Sequence, residues 1–170
     1  MIPCAVSAKM KSNQLISDSE SVVRILHPEW IEDGVLLHEA FMLDMGETYL
    51  SVNRPVVESF PEDVAGFLNK HNDYIFDANS YKRAVLNVGD IRSIAVSLDG
   101  IAAKIDVEVE PRDSHTKSHA GIFTRFQNKN IKRGQTLADG TLAEGVSADT
   151  ILLEVRMNLV DISSIEECQF

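Results

Sequence analysis

The first regular pattern in the chain is a short β-branched run, "SVVRIL" at 21–26, which ends at a His-Pro pair. Such a run predicts a β-strand. Pro28 has no backbone N–H and disfavours helical conformation in the residue before it, so the strand is expected to stop at His27. Proline explains why the strand ends, but it does not explain why a histidine precedes it.

The apolar pattern begins only at this strand. Residues 1–20 are polar and show no periodicity after Val6, so we expect a flexible or loosely docked N-terminal lead-in there. The length of the rest suits one domain of ordinary size, predicted over 21–165.

The next segments mix strand and turn signals. "VLLHEAFML" is compatible with a broken strand or with a single helical turn at 38–41. "ETYLSVNRP" at 47–55 predicts a strand, because Tyr49, Ser51 and Asn53 alternate with Leu50 and Val52. The alternation places the serine and the asparagine on the same face of the strand.

The clearest helix signal lies at 59–72. Ser59 is a candidate N-cap, and Pro61 suits the first helical turn. Val64, Phe67 and Leu68 then recur at i, i+3 and i+4, which predicts one apolar stripe facing the core.

Strand patterns follow this helix. Residues 83–100 predict one or two strands with a bend at Gly89–Asp90, and the Asp-Gly pair at 99–100 predicts a hairpin turn into the next strand. In "KIDVEVEP" the apolar residues alternate with Asp106, Glu108 and Glu110. This strand is expected to bury one face and expose an acidic one.

The C-terminal third contains one long stretch without a regular pattern. Residues 112–145 are rich in polar residues, glycine and threonine, which predicts a long irregular loop. Residues 148–162 fit either a strand or a helix, and Ser147 as N-cap with Asp149 in the first turn favours the helix. The sum is an α+β domain: a mostly antiparallel sheet with two helices.

Charge and composition exclude several classes of function. The formal net charge is −10 and the pI is about 4.9, which argues against binding to nucleic acid or to an anionic membrane surface. We find no secretory signal and no membrane-spanning apolar segment, and we expect a cytoplasmic protein. Cys4 and Cys168 are expected to be free thiols, with a disulfide joining the termini as the alternative.

Sequence motifs of the common enzyme classes are missing. There is no glycine-rich phosphate loop, no CxxC pair, no HExxH and no GxSxG. His115 and His119 have the i, i+4 spacing of metal ligands on a helix, with Asp113 as a third candidate. Because Pro111 and Gly121 bracket them, a helix is disfavoured, and no metal site is predicted.

A few polar residues in apolar contexts remain as candidates for a site. His27, Ser51 and His119 are the candidate catalytic residues, and a capping, core or solvent-facing role is the alternative for each. Candidate cofactor-binding residues are Arg24, Asn53 and Arg54, because a cleft for an anionic ligand needs such groups.

The same residues carry a resemblance. The series "RILHPEWIEDG…HEAF…ETYLSVNR…HAGIF" resembles a group of small, uncharacterised bacterial proteins. The similarity covers about 22–54 and 105–123. The matching positions are Arg24, His27, Pro28, Gly34, Ala40, Phe41, Glu47, Leu50, Ser51, Val52, His119, Ala120 and Ile122. The group implies no established activity, but it directs attention to His27, Ser51 and His119.

Three functions remain open, and the cofactor is unknown in each. The first is a small, non-enzymatic accessory protein that binds a partner protein, with the acidic strand face meeting a basic partner. The second is an NAD-handling enzyme resembling ADP-ribosyltransferases, in which Arg24 or His27 with Ser51 would clamp a ribose and Glu108 or Glu110 would act in transfer. The third is a metal-assisted or histidine-based hydrolase using His27 and His119, with Asp113 as a further candidate. Oligomeric state stays open.

Overall fold

The computed structural model describes residues 15–70, 80–112, 116–135 and 147–168. Within them the fold is α+β, as the sequence predicts. The strands are β1 (Ser21–Leu26), β2 (Ile31–Glu32), β3 (Val35–Leu36), β4 (Leu50–Asn53), β5 (Lys82–Asn87), β6 (Ser97–Leu98), β7 (Ile101–Ala102), β8 (Ile105–Pro111), β9 (His119–Phe126), β10 (Lys129–Asn130) and β11 (Ser164–Glu167). The helices are α1 (Phe60–Lys70), α2 (Val88–Arg92) and α3 (Ala148–Ile162), with 3-10 turns at Pro28–Trp30 and His38–Phe41.

Seven strands form one antiparallel sheet. Its order is β8-β9-β4-β1-β5-β11, with β10 paired to the end of β9. The strand β9 pairs with β8 along one side and with β4 along the other, so residues distant in sequence meet at its first half. The two-stranded ribbons β2–β3 and β6–β7 lie outside this sheet.

Both long helices predicted from the sequence are present. In α3, Ser147 is the N-cap and its hydroxyl accepts a hydrogen bond from the Thr150 N–H at 3.2 Å. In α1 the buried residues are Phe60, Val64 and Leu68. The predicted apolar stripe was wrong for one residue, because Phe67 is 40% exposed. The third buried side chain of α1 is instead Phe60, four residues before Val64.

Two predictions for the middle and the C-terminal third were wrong. The bend at Gly89–Asp90 is the helix α2, which begins after Asn87 because the Asn87 side chain accepts a hydrogen bond from the Asp90 N–H. The segment 112–145 is not wholly irregular, since it contains β9, the longest strand of the sheet. Polar residues and a glycine interrupt the apolar residues of β9 without a regular period, which weakens the hydrophobic pattern.

The apolar core lies on both faces of the sheet. On the first face α3 buries Ile151, Val155 and Leu159 in the larger apolar cluster. On the second face α1 packs its buried stripe against Val23 and Ile25 of β1. Because side chains alternate along β4 and β9, the first face receives Leu50, Val52, Ala120 and Ile122, and the second receives Ser51, Asn53, His119 and Gly121.

The N-terminal boundary lies earlier than the sequence suggests. Ile16 is buried in the larger cluster, and Glu20 is buried beside Arg54. The segment 15–20 is therefore part of the packed domain, while the rest of the expected lead-in lies outside the described residues. Among the helices of the described chain, none is long and apolar enough to cross a membrane.

Candidate functional site

The structure brings Ser51 and His119 together. In the pairing of β4 with β9, Ser51 lies opposite Gly121 and Asn53 lies opposite His119. Ser51 and His119 are therefore diagonal neighbours on one face of the sheet. The Ser51 Oγ and the His119 Nε2 are 2.7 Å apart, a short hydrogen bond, and the serine is exposed to solvent.

The surroundings of His119 favour its neutral form. Partial burial lowers the pKa of its imidazole below the usual value, the nearby positive charge of Arg112 adds to the effect, and Asp63 opposes it. These surroundings favour the uncharged ring more than water does. One ring nitrogen can then accept the hydrogen bond of the Ser51 hydroxyl.

Beside this pair lie the aromatic rings of Tyr49 and Phe123, which we call the aromatic floor. The Tyr49 ring rests on Gly121, where a Cβ would come within 2.7 Å of the ring. The ring centroid of Tyr49 lies 5.9 Å from that of His119 and 5.3 Å from that of Phe123. Because Gly121 has no side chain, the Tyr49 ring can pack over it and lie close to the rings of both His119 and Phe123.

The guanidinium of Arg112 lies over this aromatic floor. The Cζ of Arg112 lies 4.5 Å from the Tyr49 ring centroid and 5.6 Å from that of Phe123, both within cation–π range. The Arg112 Nε is buried, and it has no hydrogen-bond partner among the described residues. We call the surface formed by Tyr49, Ser51, Arg112, His119 and Phe123 the His119 surface.

Sequence reasoning did not identify Arg112 and Tyr49. Arg112 follows directly after β8, and its backbone N–H donates to the carbonyl of His119 at 3.0 Å. That pairing places its side chain over the floor. No local signal reveals this position, because it depends on the register of β8 against β9.

Asn53 lies beside the His119 surface in a polar network. The Ser118 hydroxyl is 3.2 Å from the Asn53 Oδ1 and 2.7 Å from the Asp63 Oδ2. The backbone N–H of Ser118 also donates to the Asp63 Oδ2 at 2.9 Å, and so does the hydroxyl of Ser59. This network joins the first turn of α1 to the start of β9 and so holds the site in place.

His27 has other neighbours than Ser51 and His119. It is the N-cap of the 3-10 turn at 28–30, where its Nδ1 accepts a hydrogen bond from the Glu29 N–H at 3.4 Å. Its ring makes edge contacts with Trp30, at 6.0 Å between centroids, and with Tyr81, at 5.5 Å. The capping role weighed in the sequence analysis therefore accounts for this residue.

Arg24, a candidate cofactor-binding residue, hydrogen-bonds to two backbone carbonyls of other segments. Arg24 donates to the carbonyls of Ala40 at 2.7 Å and Ser51 at 2.8 Å, and its guanidinium lies over Trp30. Burial lowers the Arg24 pKa to about 10, while Glu47 and Asp44 raise it.

Arg54 is wrong as a cofactor-binding residue. Its side chain has 0% exposure and pairs with Glu20, with 3.0 Å between Nη2 and Oε2. A group buried and paired in this way is not accessible to a ligand.

The acidic strand face is largely paired. Glu108 binds Arg92 at 3.0 Å, and Glu110 binds Arg125 through two hydrogen bonds. The hydrogen bonds from Arg125 lower the pKa of Glu110 despite its partial burial. Two of the three carboxylates in the expected acidic patch, Glu108 and Glu110, are thus already paired with arginines.

The described residues contain no group of three or more His, Cys, Asp or Glu side chains that could hold a metal ion. The pair His115–His119 with Asp113 is not tested by this, because 113–115 lie outside the described residues.

Comparisons with protein-family models, with curated proteins and with solved structures found no match. A function for this chain is therefore inferred from its own geometry.

Proposed function

We propose that this protein is a non-enzymatic, cytoplasmic accessory protein that binds a partner protein through the His119 surface. The observation that supports this most directly is the position of Arg112. Its guanidinium is stacked on Tyr49, its Nε is buried and has no hydrogen-bond partner within the described chain, and exposed Ser51 lies on the same surface. Tyrosine and arginine dominate the energetics of protein interfaces.

The chemistry of the surface favours a partner segment that presents a carboxylate. A guanidinium binds carboxylates through a planar fork of N–H donors, and a serine hydroxyl supplies a further donor. Glu108 and Glu110 are already paired, so this face offers a basic partner few open acceptors. The rigid strands β4 and β9 hold these groups in place before binding, which lowers the ordering cost.

Random peptides displayed on phage test this proposal without a known partner. We expect the full-length protein to enrich peptides containing Asp or Glu, and the Arg112→Gln variant to lose that enrichment. The matched control is Arg83→Gln on β5, an arginine that is paired with Glu166 outside the His119 surface. Equal enrichment by the wild type and Arg112→Gln, or no enrichment of acidic peptides, would contradict the proposal.

A second function is favoured by the 2.7 Å contact between Ser51 Oγ and His119 Nε2. A neutral histidine bonded to a serine hydroxyl is the arrangement of an activated nucleophile with its base. In a histidine-based hydrolase of this kind, Ser51 would attack an ester or amide carbonyl while His119 takes the hydroxyl proton. The ester or amide bond would then break, His119 would give the proton to the departing alcohol or amine, and water would hydrolyse the acyl-serine. An aryl fluorophosphonate probe tests it: stoichiometric labelling that disappears in Ser51→Ala and falls strongly in His119→Gln would support it, and no labelling would contradict it.

The NAD-handling hypothesis required His27 and Ser51 to face one cleft. Ser51 contacts His119, whereas His27 contacts Trp30 and Tyr81, so these contacts give it no support. We do not carry it further.

A further inference from the structure

A cavity lies on the opposite face of the sheet from the His119 surface. Its volume is about 170 Å³, and it lies between α3, the segment 41–43 and the inner side chains of β4 and β9. Leu50, Leu152 and Val155 are among its apolar walls. None of the candidate residues chosen from the sequence faces it.

Two arginines stand at this cavity. The Nη1 of Arg133 donates to the carbonyl of Leu43 at 3.1 Å. The Nε of Arg156 is buried and has no hydrogen-bond partner among the described residues. Burial lowers the Arg156 pKa; Glu39 and Asp149 raise it, and the positive charge of Arg133 lowers it.

The remaining charged group of the lining is already engaged. The Asp149 Oδ1 accepts a hydrogen bond from the Gly134 N–H at 2.8 Å and lies in the first turn of α3, where a carboxylate is favoured by the helix dipole. An anion entering the cavity would offer a hydrogen-bond acceptor to the Arg156 side chain, whereas a cation would offer none.

We propose that this cavity binds a small amphipathic carboxylate, with its apolar body against Leu50, Leu152 and Val155 and its carboxylate on Arg156 and Arg133. A cavity of about 150 Å³ with apolar walls accommodates a benzene-sized molecule. The apolar body is therefore no larger than one ring or a short branched chain. The buried Arg156 Nε distinguishes this cavity from a packing defect. A buried N–H without a hydrogen-bond acceptor destabilises the fold, and a bound carboxylate would supply the acceptor.

The test is calorimetric titration of the full-length protein with 3-phenylpropionate, and with 3-phenylpropan-1-ol as the uncharged probe of similar shape. We expect the acid to bind at least tenfold more tightly than the alcohol. Arg156→Gln should weaken the acid at least tenfold and leave the alcohol nearly unchanged. Leu152→Trp, which fills the cavity, should abolish binding of both.

The matched control is Arg83→Gln on β5, an arginine that is paired with Glu166 and lies outside both the cavity lining and the His119 surface, and this variant should bind the acid as the wild type does. Loss of binding in Arg112→Gln but not in Arg156→Gln would place the carboxylate on the His119 surface and overturn the proposal for the cavity. Equal affinity for acid and alcohol, or no binding of the acid at millimolar concentration, would also overturn it. Thermal denaturation of Arg156→Gln and Leu152→Trp, compared with that of the wild type, shows whether each variant is folded.

Discussion

The ring of Tyr49 lies on the backbone of Gly121, and a Cβ built on that glycine would be 2.7 Å from the Tyr49 Cδ2 and 3.0 Å from its Cγ. An aromatic ring that covers a glycine on the neighbouring strand shields the backbone and pins the register of the pair. The contact also supports the aromatic floor under Arg112. Stability and the binding surface therefore depend on the same two residues.

Gly121→Ala is expected to destabilise the protein by about 1–3 kcal/mol, because a methyl group forced into a packed site displaces the tyrosine ring or the strand. Urea denaturation measures this loss. In a double-mutant cycle with Tyr49→Ala, the alanine at 121 should cost much less than in the wild type. An equal cost in both backgrounds would show that the ring contact is not the cause.

Gly66 provides the matched control. It lies in the interior of α1, is exposed, and a Cβ there would meet nothing within 4 Å. Gly66→Ala should stabilise the protein by roughly 0.5–1 kcal/mol, because alanine has the higher helix propensity. A destabilising effect at this position would mean that the surroundings of α1 differ from those described.

The buried pair of Glu20 with Arg54 predicts a larger loss. The side chains are 7% and 0% exposed, so removing one partner leaves the other charge buried without its counter-ion. Glu20→Gln is expected to cost about 3–5 kcal/mol in chemical denaturation. Lys82→Ala, which breaks a surface pair with Glu167, should cost at most about 1 kcal/mol. Similar losses in the two variants would contradict the interpretation of Arg54 as a structural residue.

The elements that the sequence predicts correctly have local signals. The helix α3 has a serine cap and an acidic first turn, and the β6–β7 hairpin has an Asp-Gly turn. The strand β9 lacks such signals, because His119, Gly121 and Arg125 interrupt its apolar side chains. It forms a strand because β8 and β4 supply its partners, and these pairings connect residues far apart in sequence.

The candidate site, too, could be predicted only in part, because the sequence indicates its polar residues but not their contacts. Ser51 and His119 stand out as polar residues in apolar surroundings, but their contact depends on the register of β4 against β9. Arg54 was chosen because a cleft for an anionic ligand needs such a group, and it is buried against Glu20, since a sequence does not show which face of the chain is covered. The resemblance to small bacterial proteins remains an expectation.

His119 predicts a pH dependence of stability. Its folded-state pKa is lowered mainly by burial, so the unfolded chain binds the proton more readily than the folded chain. The contribution of neutral His119 is complete above about pH 6.5, the ordinary value, and declines as the pH falls toward the lowered one. The free energy of unfolding of the wild type should therefore fall more steeply between about pH 7.5 and 5 than that of His119→Gln. Parallel curves for the two proteins would contradict this.

Cys168 predicts slow alkylation in the folded state. Burial raises the pKa of its thiol to about 11, with Glu167 raising it further and Arg83 opposing. Only the thiolate reacts with iodoacetamide, so at about pH 8 the folded protein should react more slowly than the unfolded chain by a factor on the order of a hundred. The Cys4→Ser variant leaves Cys168 as the single thiol, and the same variant in concentrated urea supplies the reference rate. Equal rates in the two states would contradict the packing of this thiol against the apolar cluster formed by α1 and β1.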